Sequence, residues 1–317
     1  MSNYQFIGVD VAKDKFDVAI NRNGKYLNAT FMSDKKGLKS FLSWICQHAD
    51  KPWVCMEATG HYSELIAEFL VVNEVIVSIA NPMQIKNFLR SKLLRNKNDI
   101  VDARGITEYA SVMPLTPFQI RPQMQKDLND FNKLLETYKS QLVQLQNQLE
   151  SMRGKKAVAI LKKSINDLKK RIKDLEKAIE DLFEENQELN KQRELITSIP
   201  GIGNITAYQI LGIIPDINMF GHAKQFAAFI GVSPRQNQSG KFVGSTTISK
   251  IGNARLRKAF YMASLTAKRF NPNLRGFVSR LEKKGKAPKS ILCAVMRKLA
   301  HLVYSVLKNK RSFIIGF

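Results

Sequence analysis

Between Leu128 and Met152 the residues Leu128, Phe131, Leu135, Tyr138, Leu142, Leu145, Leu149 and Met152 follow one another at alternating spacings of three and four. Only a helix gathers such positions into one stripe, and a stripe this regular is a seam for another helix. After a break at Arg153–Leu161 the pattern resumes at Ile165, Leu168, Ile172, Leu175, Ile179 and Leu182, with Leu189 in phase beyond. The spacing predicts two long helices joined by a short turn near Gly154. An antiparallel hairpin within one chain and pairing with a second chain both fit. A hairpin that also mediates dimerisation is favoured. The seam divides the chain of 317 residues into three expected domains, 1–115, 116–193 and 194–317.

Residues 4–112 alternate between two periodicities. Tyr4–Asp10, Lys15–Asn21 and Lys25–Met32 are short strands, and a helix follows over Lys36–His48. The strand Pro52–Glu57, a helix from His61 to Val72, the strand Glu74–Ala80 and a helix opened by Asn81-Pro82 complete the run. Three strands in succession, then helix, strand, helix, strand, helix, is the order of the ribonuclease-H-like fold, an α/β domain with a mixed sheet.

From Glu194 onward the chain reads as an all-α domain. Its strongest local signal is Ile199-Pro200-Gly201-Ile202-Gly203-Asn204, the hairpin of a helix-hairpin-helix element. Gly201 and Gly203 would let the backbone approach phosphate, and the next helix offers free N–H groups at its start. An ordinary helix–helix turn also accommodates Gly-x-Gly.

Lys and Arg number 50 against 27 Asp and Glu, a net charge of +23. From Arg235 to Phe317 there are 19 Lys or Arg and one acid, Glu282, so +18 lies in the last 83 residues. Such a one-sided segment repels itself unless something negative covers it, which indicates a nucleic acid. A membrane surface is the other polyanion, but no uninterrupted apolar run approaches the ~20 residues of a spanning helix. The N-terminus lacks the order of a secretory signal, and Cys46, Cys55 and Cys293 form neither a disulfide framework nor a zinc pattern. The simplest location is the reduced cytoplasm.

Four acids carry the chemistry. Asp10 ends the apolar run Phe6-Ile7-Gly8-Val9, and Glu57 ends Trp53-Val54-Cys55-Met56. Asp99 and Asp102 lie three apart at the head of a helical segment and share a face. Each acid alone is explicable, as a turn cap, a surface residue, an N-cap or a first-turn acid. Together they sit where this fold builds a metal site, and an oxygen-only cluster suits Mg²⁺ or Mn²⁺. Asp14, Asp17 and Glu64 are less well placed. Ser239, before Gly240 in a polar loop, is by itself most simply a turn residue. With Arg235, Lys241 and Lys250 nearby it is also a candidate nucleophile, the cations holding a phosphate beside it. His61 and Tyr62 follow Glu57 closely and are expected to pack at a helix start.

Gly8-Val9-Asp10-Val11-Ala12-Lys13, Met56-Glu57-Ala58-Thr59-Gly60-His61-Tyr62, Asn81-Pro82 and Lys97-Asn98-Asp99-Ile100-Val101-Asp102-Ala103 resemble the DEDD transposases of bacterial insertion sequences. That is the insertion-sequence-110 family, which includes Piv-type DNA invertases. The second half matches in Pro200–Gly203, Phe226–Gly231, Ser233-Pro234-Arg235, Gln238-Ser239-Gly240, Ile248–Asn253 and Leu256-Arg257. The resemblance covers nearly the whole chain, in order. It implies a RuvC-like domain whose acids fall on Asp10, Glu57, Asp99 and Asp102, and a transposase domain whose nucleophilic serine falls on Ser239. It further implies Mg²⁺, a covalent phosphoserine link to DNA, and a structured bridge RNA that pairs with donor and target double-stranded DNA. Composite sites are implied as well, the acids of one subunit meeting the serine of another in a dimer or tetramer. So is work on the bacterial nucleoid. Gly201, Gly203, Arg235, Lys241, Lys250, Arg255 and Arg257 are the candidate nucleic-acid contacts.

Two alternatives stand beside this. A metal-dependent junction resolvase or nuclease, or an unguided invertase, would keep the fold and the acids. A non-catalytic nucleic-acid-binding protein would leave the four acids without a joint purpose.

Overall fold

Strand β1 (Gln5–Val11) alternates: Ile7, Val9 and Val11 are buried in one apolar layer while Gly8 and Asp10 face the other way. It pairs antiparallel with β2 (Lys15–Arg22), Asp10 opposite Asp17 and Gly8 opposite Ala19. A tight turn through Asn23 and Gly24, both at positive φ (52° and 83°), leads to β3 (Lys25–Met32). Asn-Gly at that position favours a two-residue hairpin. On the other side of β1 lie β4 (Pro52–Glu57), parallel to it, and β5 (Ile76–Ala80), parallel to β4. The sheet order β3-β2-β1-β4-β5 is mixed and fits the ribonuclease-H-like start expected. The structure, a computed structural model, describes residues 4–92, 99–235, 238–239, 242–243 and 247–315, and divides into the units Met1–Ile120 and Arg121–Phe317.

Helices cover the sheet of the first unit. Residues of α1 (Lys35–His48) and α2 (His61–Val72), Phe41, Ile45, Ile66 and Leu70, pack with Ile7, Val9, Val18, Val54 and Met56. A smaller cluster joins Cys55 and Ala80 to Ile85 of α3 (Pro82–Ser91) and to Ile106, Tyr109 and Ala110 of α4 (Asp99–Val112). Strand β5 begins two residues later than the sequence indicates. Glu74 adopts a left-handed conformation, φ 64°, in the turn that ends α2, and cannot extend the strand.

In the second unit α5 (Gln123–Ser151) and α6 (Lys155–Glu185) pack along each other after a three-residue connection, with Lys139 paired to Glu176 at 2.8 Å. Helix α6 buries Leu161, Ile165, Leu168, Ile172, Leu175, Ile179 and Phe183. The expected break over Arg153–Leu161 is shorter than the spacing predicts, because the alanines and lysines after Gly154 are good helix formers without being seam residues. Leu189 belongs to a separate helix, α7 (Gln187–Thr197). Asn186 accepts the Leu189 N–H at 2.8 Å and starts that helix afresh.

The remainder is mostly helical: α8 (Asn204–Ile213), α9 (Ala223–Ile230), α10 (Ala254–Phe270), α11 (Pro272–Lys283) and α12 (Pro288–Asn309). The all-α expectation needs correction. Among the described residues between α9 and α10 lie four two-residue strands, β6 (Pro234–Arg235) pairing with β9 (Thr247–Ile248), and β7 (Gln238–Ser239) with β8 (Phe242–Val243). Strands of two residues leave no periodicity in a sequence, so this arm reads as a loop. Helix α12 is long and apolar enough to cross a membrane by composition alone. Here Ile291, Val295, Leu299, Val303 and Val306 are buried in the core of the unit.

Candidate active site

The geometry of the acids begins at Gly8. A Cβ there would lie 2.3 Å from the Ala103 carbonyl oxygen and 2.4 Å from the Thr107 amide, so α4 rests on β1 only because Gly8 has no side chain. The Gly8 N–H donates to Thr107 Oγ1 at 3.0 Å, and that hydroxyl donates to the Ala19 carbonyl at 2.8 Å. The first turn of α4, with Asp102, is thereby held on the face of β1 that carries Asp10.

Asp10 follows Val9, which pairs in register with Met56, so Asp10 and Glu57 come at matching positions of adjacent parallel strands. Asp10, Glu57 and Asp102 line one cleft of about 750 Å³. Asn81, Pro82, Lys86, Arg90, Val101 and Ile106 contribute to its walls. Asn81 accepts the Met83 N–H at 2.8 Å and starts α3, which presents Lys86 and Arg90 one turn apart. Both cations escaped the sequence reading. Their signal was the four-residue spacing after Asn81-Pro82, which is visible only once α3 is known to flank the acids.

Asp99 is the first residue of α4, but its side chain lies outside the described residues. Among the described residues no three His, Cys, Asp or Glu side chains stand close enough to hold one ion by themselves. The donor chemistry still fits a hard divalent cation. Mg²⁺ is commonly held by one or two carboxylates together with water and substrate phosphates, and an open cleft with Asp10, Glu57 and Asp102 in its lining suits that mode. Asp17 is committed elsewhere: it is buried, accepts Thr30 Oγ1 at 2.5 Å and pairs with Lys15 at 3.3 Å. His61 and Tyr62 do not line the cleft. Burial pushes the Cys55 thiol up to about 12, which leaves it un-ionised beneath the site.

Helix α4 is also pinned at its flank. Tyr26 donates to Glu108 at 2.7 Å, Lys92 pairs with the same carboxylate, and Arg104 Nε donates to Asn28 at 2.9 Å. Burial alone would raise the Glu108 pKa. The bonds from Lys92 and Tyr26 outweigh it and hold the carboxyl below its usual range.

In the second unit Ser239 lies on β7, with its side chain outside the described residues, and Lys241 lies outside them altogether. Arg235 and Lys250 are exposed. Arg255 is bound within the fold, 3.4 Å from Glu136 and donating to Asn129 at 3.2 Å. Arg257 Nη1 donates to the Ile230 and Lys250 carbonyls at 3.1 and 3.2 Å. Gly201 has φ 104° and packs on Ala267, where a Cβ would come within 2.5 Å. Gly203 is exposed at the start of α8, with no side-chain cap on that helix.

Two family models match the chain: one described as a transposase over residues 7–152, and one described as a transposase of the IS116/IS110/IS902 family over residues 193–279. The pilin gene-inverting protein of Moraxella lacunata is 32% identical over 314 residues, covering 97% of each chain. The chain belongs to the IS110 family of transposases. The pilin gene-inverting protein of Moraxella bovis is also 32% identical, again over 97% of each chain. The transposase for insertion sequence element IS1111A of Coxiella burnetii is 26% identical over 292 residues, 81% of this chain and 76% of that one. In this IS110-family transposase the first model begins at Ile7 and takes in Asp10, Glu57, Asp99 and Asp102, and the second takes in Ser239.

Proposed function

We propose that this transposase is a site-specific recombinase of an insertion sequence, cutting and exchanging DNA strands with the acids of the cleft and with Ser239. The observation that supports this most is the convergence of Asp10, Glu57 and Asp102 on one cleft in a chain of a transposase family. Asp10, Glu57, Asp99 and Asp102 would hold Mg²⁺, with Mn²⁺ as a substitute. Bound there, the cation supplies neutralisation of phosphodiester charge.

The residues of the chain do the rest. Lys86 and Arg90 draw a strand's phosphates toward the acids by charge. Ser239 Oγ attacks phosphorus, forming the Ser–O–P bond as the strand's own P–O bond breaks. The departing oxygen leaves as a hydroxyl with a proton, and the serine proton passes to solvent. The phosphoserine ester conserves the bond, so a hydroxyl of the exchanged strand reverses the step without free ends. Arg235, Lys241 and Lys250 neutralise phosphate charge near the serine. Gly201, Gly203 and the start of α8 form the hairpin of a helix-hairpin-helix contact with the backbone.

The division into 1–115 as RuvC-like domain, 116–193 as dimerising coiled coil and 194–317 as transposase domain belongs to the same proposal. So does a structured guide RNA that selects donor and target double-stranded DNA, and action on the bacterial nucleoid. Asp10→Asn and Asp102→Asn should each lower strand cleavage at least about 100-fold while DNA affinity holds within a few-fold. Retained cleavage in both would leave the acids structural. Sequencing RNA that co-purifies with the protein, expressed with its native flanking DNA, tests the guide. One discrete flanking RNA supports it, and a heterogeneous population counts against it. The similarity to the pilin gene-inverting proteins, over 97% of each chain, favours a second form of the activity, inversion of a DNA segment.

A further inference from the structure

The arm that carries Ser239 leaves the helical unit after Val232 and rejoins it before α10, and both of its roots meet at one guanidinium. Arg257 Nη1 donates to the Ile230 carbonyl on the outgoing side, at 3.1 Å, and to the Lys250 carbonyl on the returning side, at 3.2 Å. The backbone around it is shaped to allow this. Gly231 ends α9 at φ 82°, where a Cβ would stand 2.5 Å from Arg257 Nη1. Lys250 takes the left-handed conformation, φ 55°, and its carbonyl meets the guanidinium. Gly252, at φ 144°, passes so close to Phe229 that a Cβ would lie 2.4 Å from its carbonyl oxygen. Two further bonds lace the roots: Ser249 N–H to the Ser233 carbonyl at 2.9 Å, and Asn253 N–H to the Phe229 carbonyl at 2.7 Å. Beyond them the only pairing described at the base of the arm is that of the two-residue strands β6 and β9.

Such short strands supply little stability of their own. The direction in which the arm leaves the unit is therefore set at its roots. We propose that Arg257 is a positioning residue that clamps the roots of this arm and so fixes where Ser239 and Lys250 are presented. Its Nη1 is engaged by two carbonyls of its own chain. A guanidinium suits the task because it stays ionised at any physiological pH and holds its donors in a rigid plane. The inference rests on Ser239 as the nucleophile.

The experiment uses full-length Arg257→Met and Arg257→Lys with DNA carrying the element ends, and reads three quantities. These are affinity across a salt series, the rate of covalent adduct formation in the bound complex, and hydrogen exchange at Ser249 and Asn253. For Arg257→Met the expected result is unchanged affinity and salt slope, an adduct rate lowered ten- to a hundred-fold, and faster exchange at both amides. Misplacement of a reacting group by about 1 Å is enough for such a loss. Arg257→Lys, whose ammonium still reaches carbonyl oxygens, should recover part of the rate and of the protection. A salt slope lowered by about 0.9, with the bound-complex rate intact, would make Arg257 a phosphate contact and overturn the proposal. Unchanged exchange in a folded Arg257→Met would overturn it as well. If Arg257→Met does not fold, the decision passes to Arg257→Lys, in which a lowered bound-complex rate with faster exchange at Ser249 and Asn253 sustains the clamp, and parental exchange at both amides refutes it. Should Ser239→Ala leave the adduct intact, the nucleophile assignment fails, and the exchange data still report separately on the clamp.

Discussion

Thr107 Oγ1 takes the Gly8 N–H at 3.0 Å from one strand and donates to the Ala19 carbonyl of the next at 2.8 Å, so one hydroxyl of α4 fastens the helix to two strands of the sheet. Gly8 makes the approach possible and Thr107 fixes it. Asp10 lies two residues along from the first, and Asp102 five residues before the second. The distance between those two carboxylates is thus governed by a contact neither of them makes.

Gly8→Ala should therefore be severe. Its new methyl has backbone on two sides, Ala103 O and Thr107 N, and neither can rotate away. A loss of about 2–3 kcal/mol in a denaturant titration is expected, with strand cleavage abolished. Thr107→Val keeps the shape but leaves the buried Gly8 N–H without its acceptor, and should cost about 1–3 kcal/mol.

The sequence made this region legible for a physical reason. β1 and β4 carry near-continuous apolar runs because helices cover the sheet on both faces there, and the acids Asp10 and Glu57 fall where each run stops. The helices α1 to α3 begin where an Asp, Gly or Asn and, for α3, a proline announce them. The arm around Ser239 was opaque. Two-residue strands carry no period, and the contacts that organise it are carbonyls meeting Arg257, which no residue pattern encodes. Arg255 and Arg257 read as basic residues available to phosphate; the fold also brings Arg255 to Glu136 and Asn129, and Arg257 Nη1 to two backbone carbonyls. Lys86 and Arg90 were missed because charge on a helix is ordinary until the helix is seen beside three acids.

Glu136 links α5 to α10 by accepting Lys258 at 2.6 Å, with Arg255 at 3.4 Å. The hydrogen bond from Lys258 is the chief cause that holds its carboxyl below the usual range, against a smaller opposing effect of burial. A carboxylate depressed in the fold stabilises it fully above the unfolded value, about 4.3, and loses that contribution as pH falls through the folded value. Glu136→Gln should lower the melting temperature by a degree or so at neutral pH, and the two proteins should converge in acid once the pH has fallen through the folded value. Because the pair is partly exposed, about 0.5 M salt should shrink the difference. A gap that persists in acid would assign the effect to packing.

Tyr208 joins three helices of the second unit. Its hydroxyl donates to Glu180 of α6, which pairs with Arg193 of α7 at 2.5 Å, and Arg193 lies 5.1 Å over the Phe183 ring. Burial first, and then the bond to Glu180, push the phenol up to about 12. Tyr208→Phe should cost about 1 kcal/mol by thermal or denaturant unfolding. Arg193→Lys should cost a similar amount, since an ammonium cannot reproduce the planar stacking.

The apolar pocket between the roots of the Ser239 arm and α12 is rimmed by Lys286, Lys289 and Arg297. If those cations meet a nucleic-acid backbone, Lys286→Ser with Lys289→Ser should reduce the dependence of log affinity on log salt by up to about 1.8. The melting temperature should stay unchanged, because both lysines are exposed. An unaltered slope would place the contact surface elsewhere on the basic C-terminal segment.

The measurement that bears most directly on the whole account is the identity of the DNA attachment. The protein would be incubated with DNA carrying the element ends and Mg²⁺, quenched in denaturant, digested and analysed by mass spectrometry. A nucleotide joined through phosphate to Ser239, absent in Ser239→Ala and in Asp102→Asn, is the predicted result. Cut DNA with a free 5′-phosphate and 3′-hydroxyl, and no adduct on any residue, would contradict it and make the enzyme a metal-dependent nuclease in which water attacks.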